Sequence, residues 1–457
     1  MGITGITIVT YLLVLFALYV FLKYNDEWIA LIVFFFISSG LNRYNVVMDK
    51  KASWVRVAYS RGVDFFKMTD ELGLEALNLF LFGTTMLSIS YFYFSVQLKN
   101  VKVKKKDTPQ QLNAYLNIHQ PTIIFGFIGI FVVNTVTKAF GSLLSGAGSY
   151  LMLFGMALGG MIVLIYITIQ SLSLRQNFFS KILLTVIMLF AIVNSYDPYL
   201  RFQFLSWAIA AGIVFLKNKS ITQKLMYYVV GGSAIIIVFA IAGVSRSQNL
   251  SKLSVSEIMD KALARSSNAE DSNMLDGFMM TLQVYPQHLN YQYGMQHLEI
   301  LMRPIPRALW PDKPPGGYAN KLGLNDNMQG NYVGISESLY GTFYGEGAII
   351  GIILFCILYG YLFAKAFQYA DRYSSDIKYL LKGVILASTI PLMRGGDLPG
   401  IIAFVGMSYW PIFLLLRGYT NYINAENLRK KRINSRLAHQ AKLMQQNQNL
   451  TKTDATI

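Results

Sequence analysis

Gly347-Ala-Ile-Ile-Gly-Ile-Ile-Leu-Phe-Cys-Ile-Leu-Tyr-Gly-Tyr-Leu-Phe-Ala364 runs from Glu346 to Lys365 without a charge or a proline. A helix of roughly 20 such residues crosses the hydrocarbon of a bilayer and satisfies its own backbone polar groups on the way. The same reading applies near 3–22, 28–41, 76–98, 119–137, 149–170, 178–196, 202–216, 225–245, 379–393 and 400–416, which makes about eleven candidate transmembrane helices in all. Composition agrees, since 54% apolar and only 14% charged residues with a mean hydropathy of +0.40 lie outside the soluble range. The fold class expected is an all-α polytopic membrane protein with one large, partly helical loop outside the bilayer. No small-residue cleavage site follows the run at 3–22, so it is read as a first span and not as a cleavable signal. Cys356, the single cysteine, sits inside the quoted run, so no intrachain disulfide and no redox chemistry are expected.

Basic residues orient the spans. Lys99, Lys102, Lys104, Lys105 and Lys106 follow one span, and Arg417, Arg429, Lys430, Lys431, Arg432 and Arg436 follow the last, which the positive-inside rule makes cytoplasmic. Threading the spans between them puts Lys217, Lys219, Lys224, Lys365, Arg372 and Lys378 on the same side and the amino terminus outside. The chain then divides into spans over 1–245 with an interfacial loop at 42–75, a large outer loop at 246–346, spans over 347–416, and a basic tail at 417–457. Within the tail, Leu428, Ile433 and Leu437 among cations are expected to form an interfacial helix on the anionic leaflet.

The outer loop carries helical spacing over 256–264, 273–284 and 295–302, with Ser256 and Asn273 as expected caps. It then continues as Arg303-Pro-Ile-Pro-Arg307-Ala-Leu-Trp310-Pro-Asp-Lys313-Pro-Pro. Pro304 and Pro306 fix their own φ and push their predecessors toward extended geometry, which stiffens the approach to Arg307. Arg201, Arg246 and Arg394 each abut a span on the outer side, where cations are normally depleted. With Arg265, Arg303 and Arg307 they are expected to ring the outer boundary and bind an anion, because a guanidinium fork fits phosphate in bidentate fashion. The competing reading is that each snorkels or pairs with an acid such as Asp197 or Asp397. Gly341, Gly345, Gly347 and Gly351 are read as a helix-packing face.

The outer loops contain no Asp-x-Asp, His-x-x-His or Glu-x-x-His spacing and no glycine-rich phosphate loop, so no metal site and no cofactor are expected. Candidate bases on that side are Asp271, Asp276, Glu337, Glu346, His288 and His297. Asp276 shares a helix with apolar Leu275, Phe278 and Met279, and Glu337 approaches a span, so burial can raise the proton affinity of either; each reads equally as a cap or an ion-pair partner. His297 reads as a packed residue. Trp310 and Tyr293 suit either a sugar face or an interfacial aromatic belt.

Pro286, Tyr293-Gly294, Ile305-Pro306-Arg307-x-x-Trp310-Pro311-x-Lys313-Pro314, Glu337 and the stretch 341–347 entering a span together resemble the bacterial O-antigen or oligosaccharide repeat-unit polymerases of the Wzy type. The resemblance extends over the topology from about 100 to 416 and concentrates at 246–351. It implies a GT-C-like, metal-independent glycosyltransferase of the inner membrane with its active site on the periplasmic face. It further implies donor and acceptor oligosaccharides linked to undecaprenyl pyrophosphate, with membrane lipids and a chain-length regulator as further partners and no nucleic acid. In that scheme Asp276 or Glu337 takes the acceptor proton, Arg201, Arg246, Arg265, Arg307 and Arg394 hold the pyrophosphate, and Trp310 and Tyr293 meet sugar. An O-antigen ligase and a lipid-linked oligosaccharide flippase are the alternatives. Transport is disfavoured because the spans are almost free of charge, Lys382 lying near an inner end. The topology makes a direct prediction: a reporter fused after Pro311 reads out on the non-cytoplasmic side, and a cytoplasmic signal would reverse the orientation of every loop.

Overall fold

The computed structural model describes residues 1–48, 66–100, 105–140, 151–152, 154–172, 178–196, 201–248, 250–267, 272–303, 305, 309–310, 312, 316–322 and 336–454. The regular elements there are helices, and none of the described residues forms a strand. We number the α-helices α1 Ile3–Tyr24, α2 Trp28–Phe36, α3 Asn42–Met48, α4 Asp70–Lys99, α5 Pro109–Phe140, α6 Leu158–Ser171, α7 Phe178–Ser195, α8 Arg201–Phe215, α9 Ile221–Ser247, α10 Val255–Ser267, α11 Met274–Val284, α12 Met295–Met302, α13 Tyr318–Lys321, α14 Ser338–Ala370, α15 Ile377–Arg394 and α16 Leu398–Asp454. Among the described residues, eight helices are long and apolar enough to cross a membrane: Ile3–Tyr24, Trp28–Val46, Asp70–Lys99, Pro109–Phe140, Phe178–Ser195, Ile221–Ser245, Ser338–Ala370 and Leu398–Met444. The other three apolar runs of the sequence coincide with α6, α8 and α15.

The pair α4 and α14 forms the spine. Thr69 caps α4 by accepting the Leu72 N–H at 3.2 Å, and Asp70 and Glu71 favour the positive end of the helix dipole. Ala76, Leu77, Phe80, Leu81, Thr84, Leu87 and Tyr91 then recur at three- and four-residue spacing and are buried. Two glycines let the helices close. A Cβ on Gly83 would collide with the Tyr340 ring, and one on Gly360 would sit 2.8 Å from the Tyr91 amide nitrogen. One apolar cluster draws on α1, α2, α4, α11 and α14, through Ile6, Trp28, Phe80, Phe278 and Tyr340. A second draws on α5, α6, α7, α8, α15 and α16, through Leu116, Ile162, Leu184, Val214, Leu380 and Ile412.

The helix α14 is interrupted at Gly347 (φ 171°, ψ 45°) and Ala348 (φ 53°, ψ −140°), so a short helix precedes the long apolar one. This changes the reading of the glycine series. Gly341 lies against Phe278 and Gly345 against the Tyr285 ring, so these two receive the outer-loop segment around α11, while Gly347 belongs to the break. The expected interfacial tail helix is likewise no separate element: α16 runs unbroken from the last span to Asp454, because no glycine or proline follows Gly418. The cap of α10 is Ser254, not Ser256. Its hydroxyl accepts the Glu257 N–H at 3.3 Å while the Glu257 carboxylate accepts the Ser254 N–H at 2.7 Å. Asn273 does hold the N-cap position of α11 but makes no capping bond.

The basic connections gather at one end of the bundle. Lys217 pairs with Asp376 at 2.6 Å, Lys224 with Glu27 at 3.8 Å and Lys378 with Asp371 at 3.0 Å, while the Lys106 amide donates to the Arg372 carbonyl at 2.9 Å. Residues 43, 276, 337 and 394 meet at the other helix ends. Closing the α4–α14 crossing is testable: Gly83→Ala and Gly360→Ala should each cost about 1–3 kcal/mol through overpacking. Detergent-solubilised variants should therefore melt several degrees lower, whereas Gly232→Ala, which faces open space, should melt at or above the parent temperature.

Candidate functional site

Backbone packing builds the site before any side chain does. Gly277 of α11 rests on Ser336 and Glu337, where a Cβ would lie 2.9 Å from the Glu337 Cα and would strike the Ser336 carbonyl. From the opposite side Gly395 (φ 68°) presses on the Ser338 carbonyl, again with no room for a Cβ. Between these contacts Ser338 adopts φ 62°, a left-handed conformation that costs a non-glycine residue about 1–3 kcal/mol and persists only where packing dictates it.

Glu337 is the group this clamp encloses. It is 1% exposed, and hydroxyls hold it: Thr342 Oγ1 donates to Oε1 at 2.9 Å and Thr281 Oγ1 to Oε2 at 3.2 Å. Burial drives its pKa up to about 8, the two hydroxyls and Lys321 pull it part of the way back, and Asp397 adds to the rise. Tyr318 donates to the Gly277 carbonyl at 3.2 Å and closes the site from α13. Arg394, the last residue of α15, donates through Nε to the Ser336 hydroxyl, so a guanidinium stands one residue from the buried carboxyl. The same turn carries Asp397, which pairs with Arg303 at 3.3 Å.

Asp276 lies on the same turn of α11 as Gly277 and is fully buried. Arg43 of α3 grips it in a fork, Nε to Oδ1 at 2.9 Å and Nη2 to Oδ2 at 2.7 Å. Of the two readings offered by the sequence, ion-pair partner is the one this geometry fits, because both carboxylate oxygens are engaged by a buried guanidinium. Arg43 itself was not among the expected arginines. The signal was available, since it closely follows the apolar run 28–41 just as Arg246 and Arg394 follow theirs.

The structure thus brings together Asp276, Glu337 and Arg394, with Arg303 beside them through Asp397. It does not bring Arg265 to this group: Arg265 lies against Gly243 in a satellite cluster of Ala240, Val244 and Ala262, because α10 folds back on α9. Arg201 opens α8 and Arg246 stands in the last turn of α9, their side chains being outside the described portion. Arg307 and Asp271 also lie outside the described residues. Trp310 is half-buried, and Tyr293, 79% exposed at φ 46°, turns the chain into α12 while its amide donates to the Glu346 carbonyl at 2.9 Å. Glu346 is occupied by His297, whose Nδ1 lies 2.8 Å from Oε1 and whose ring stacks on Phe355 at 4.0 Å, as expected of a packed residue. Sequence reasoning did not anticipate the hydroxyls of Thr281, Ser336 and Thr342. Among the described residues no three His, Cys, Asp or Glu side chains are grouped closely enough to share a metal ion.

A buried carboxyl between two glycine contacts and beside a guanidinium can exchange a proton and sits next to a ready anion partner. Comparisons with protein-family models, with curated proteins and with solved structures found no match to this chain. The raised pKa of Glu337 carries a sign. In the unfolded chain the carboxyl ionises near pH 4.5, in the folded one near 8, so the stability it contributes is full below the first value and is lost as pH climbs through the second. Glu337→Gln should therefore gain in melting temperature relative to the parent between pH 4 and pH 9; a pH-independent difference would mean that the carboxyl binds its proton equally in the folded and unfolded chain.

Proposed function

We propose that this chain polymerises undecaprenyl-pyrophosphate-linked oligosaccharide repeat units on the periplasmic face of the inner membrane. In this reading eleven helices span the bilayer, the amino terminus and the loop 246–346 face the periplasm, and the lysine-rich end of the bundle is cytoplasmic. The observation that carries it is the meeting of Glu337 and Arg394 at residues 336–338, at the end of the bundle opposite the lysines.

The chemistry follows from those two groups. A hydroxyl of one lipid-linked unit attacks the anomeric carbon of a chain held on a second lipid. A new carbon–oxygen bond forms as the bond to the diphosphate oxygen breaks, the proton passes to the Glu337 carboxylate, and lipid diphosphate departs with both bonding electrons. Arg394, joined by Arg307, Arg201 and Arg246, neutralises the leaving oxygens. Trp310 and Tyr293 offer ring faces for sugar.

Room for the lipid chain also supports the reading. From Ile221 to Phe239 the only buried residue of α9 is Lys224, which anchors the inner end to Asn25 at 2.7 Å. Side chains added at Gly231 and Gly232, or at Gly212 of α8, would meet nothing within 4 Å. Arg246 and Arg201 stand at the outer ends of these same two helices, where the diphosphate of a lipid lying along them would arrive.

One feature favours the transport alternative: the break at Gly347–Ala348 adjoins buried Glu346 and its half-buried partner His297, and broken helices beside ionisable groups are common in carriers. Reconstitution with defined lipid-linked units in chelator separates the readings. Polymerase activity gives a ladder of longer glycans with released lipid diphosphate; a single added block indicates a ligase, and flipping without a new glycosidic bond indicates a carrier. Arg394→Lys and Arg307→Lys should each lower turnover on the order of 10²-fold, the scale of losing one preorganised donor at a developing anion.

A further inference from the structure

We propose that Arg43 is a positioning residue of the outer site: its fork on Asp276 fixes α11 so that Gly277 and Thr281 enclose Glu337. The inference deepens the proposed function, since it assigns a part in the same site to a residue at the far end of the sequence.

The placement of Arg43 begins in α2. The helix passes through a π-helical turn at Ile37–Leu41 before α3 resumes, and the extra residue in that turn rotates every later position by about 100° around the axis. Arg43 is thereby turned inward, where it is 3% exposed, against a fully buried Asp276. A fixed cation at this depth demands an anion of matched geometry, and the fork supplies two parallel bonds and not one. Asp276 precedes Gly277 directly, and Thr281 follows one helical turn later. Gly277 carries the close contact with Ser336 and Glu337, and Thr281 donates to the Glu337 carboxyl at 3.2 Å. A shift of α11 by even an ångström opens both contacts to water, so the fork and the enclosure of Glu337 are coupled through a single rigid turn.

The alternatives for Arg43 are weaker on geometry. As a direct anion ligand it would have to compete with the fork, which already engages Nε and Nη2. As a mere stability element it would have no reason to grip the turn that holds the carboxyl.

The groups that act on Glu337 are Thr281 of α11, Tyr285 just after it, Tyr318 and Lys321 from α13, Thr342 of α14 and Asp397 from the turn after α15, while Arg394 bonds the neighbouring Ser336 and the Arg43–Asp276 pair adjoins Gly277. The variants leave all but the pair in place. The probe is the infrared absorption of the protonated Glu337 carboxyl, identified by its loss in Glu337→Gln and titrated in detergent-solubilised full-length protein. Arg43→Ala should move the titration midpoint down by at least one pH unit as water reaches the carboxyl. Arg43→Lys, which keeps the charge and loses the fork, should move it in the same direction by less. The double variant Arg43→Met with Asp276→Met should return the midpoint to within about half a unit of the parent, because an apolar pair of similar volume can hold α11 without leaving a lone charge.

If Arg43→Ala does not fold, Arg43→Lys and the double variant carry the test. A midpoint unmoved in the folded single variants, or one that stays displaced in the double variant, would overturn the assignment. A lower melting temperature with an unchanged midpoint would do so too. The titration needs no glycosyl transfer, so a shifted midpoint in a protein that builds no polymer would leave Arg43 in its role and remove the polymerase reading instead.

Discussion

Two backbones cross with nothing between them at Ser336–Ser338, and the character of the outer site descends from that contact. Gly277 on one side and Gly395 on the other exclude both side chains and water from the peptide units they touch. The strained Ser338 is held by this packing and not by its own preference. Desolvation then acts on the one carboxyl enclosed, and hydroxyls from Thr281 and Thr342 soften the penalty without cancelling it. A single methyl group at either glycine would meet backbone atoms and press the layers apart.

The two ends of the bundle solve the problem of charge differently. At the lysine-rich end, cations from separate connections are met by Asp376, Glu27 and Asp371, mostly in partly exposed pairs of modest individual worth. At the other end, Arg43, Asp276 and Glu337 are deeply placed. Asp276 is matched by one guanidinium in a complete fork, while Glu337 has hydroxyls where Asp276 has an arginine. Two carboxyls on either side of the same glycine contact therefore have partners of different chemistry, a guanidinium for Asp276 and hydroxyls for Glu337.

Apolar runs were the most legible feature of the sequence, because crossing hydrocarbon demands length and purity that chance seldom supplies. The runs at 3–22, 76–98 and 347–364 fall inside α1, α4 and α14. Outer-end charge exposed Arg394, and proximity to a span exposed Glu337. What stayed hidden depended on distant partners or on chemistry without polarity. Arg43 and Asp276 lie 233 positions apart, so nothing local couples them. The break at Gly347–Ala348 is written in two apolar residues that look like any other helix entrance. Gly341 and Gly345 have the spacing of a helix-packing stripe, and only the fold shows that Phe278 and Tyr285 occupy it. Arg265 was grouped with the others by side of membrane alone, which fixes depth and leaves lateral position free.

The helix α16 starts one residue after Asp397 and continues without interruption through the last apolar stretch and the cationic segment that follows. From Arg417 to its end it extends about 55 Å beyond that stretch, at 1.5 Å per residue. One helix, with Pro411 inside it, therefore links the cationic segment to the turn bearing Arg394 and Asp397.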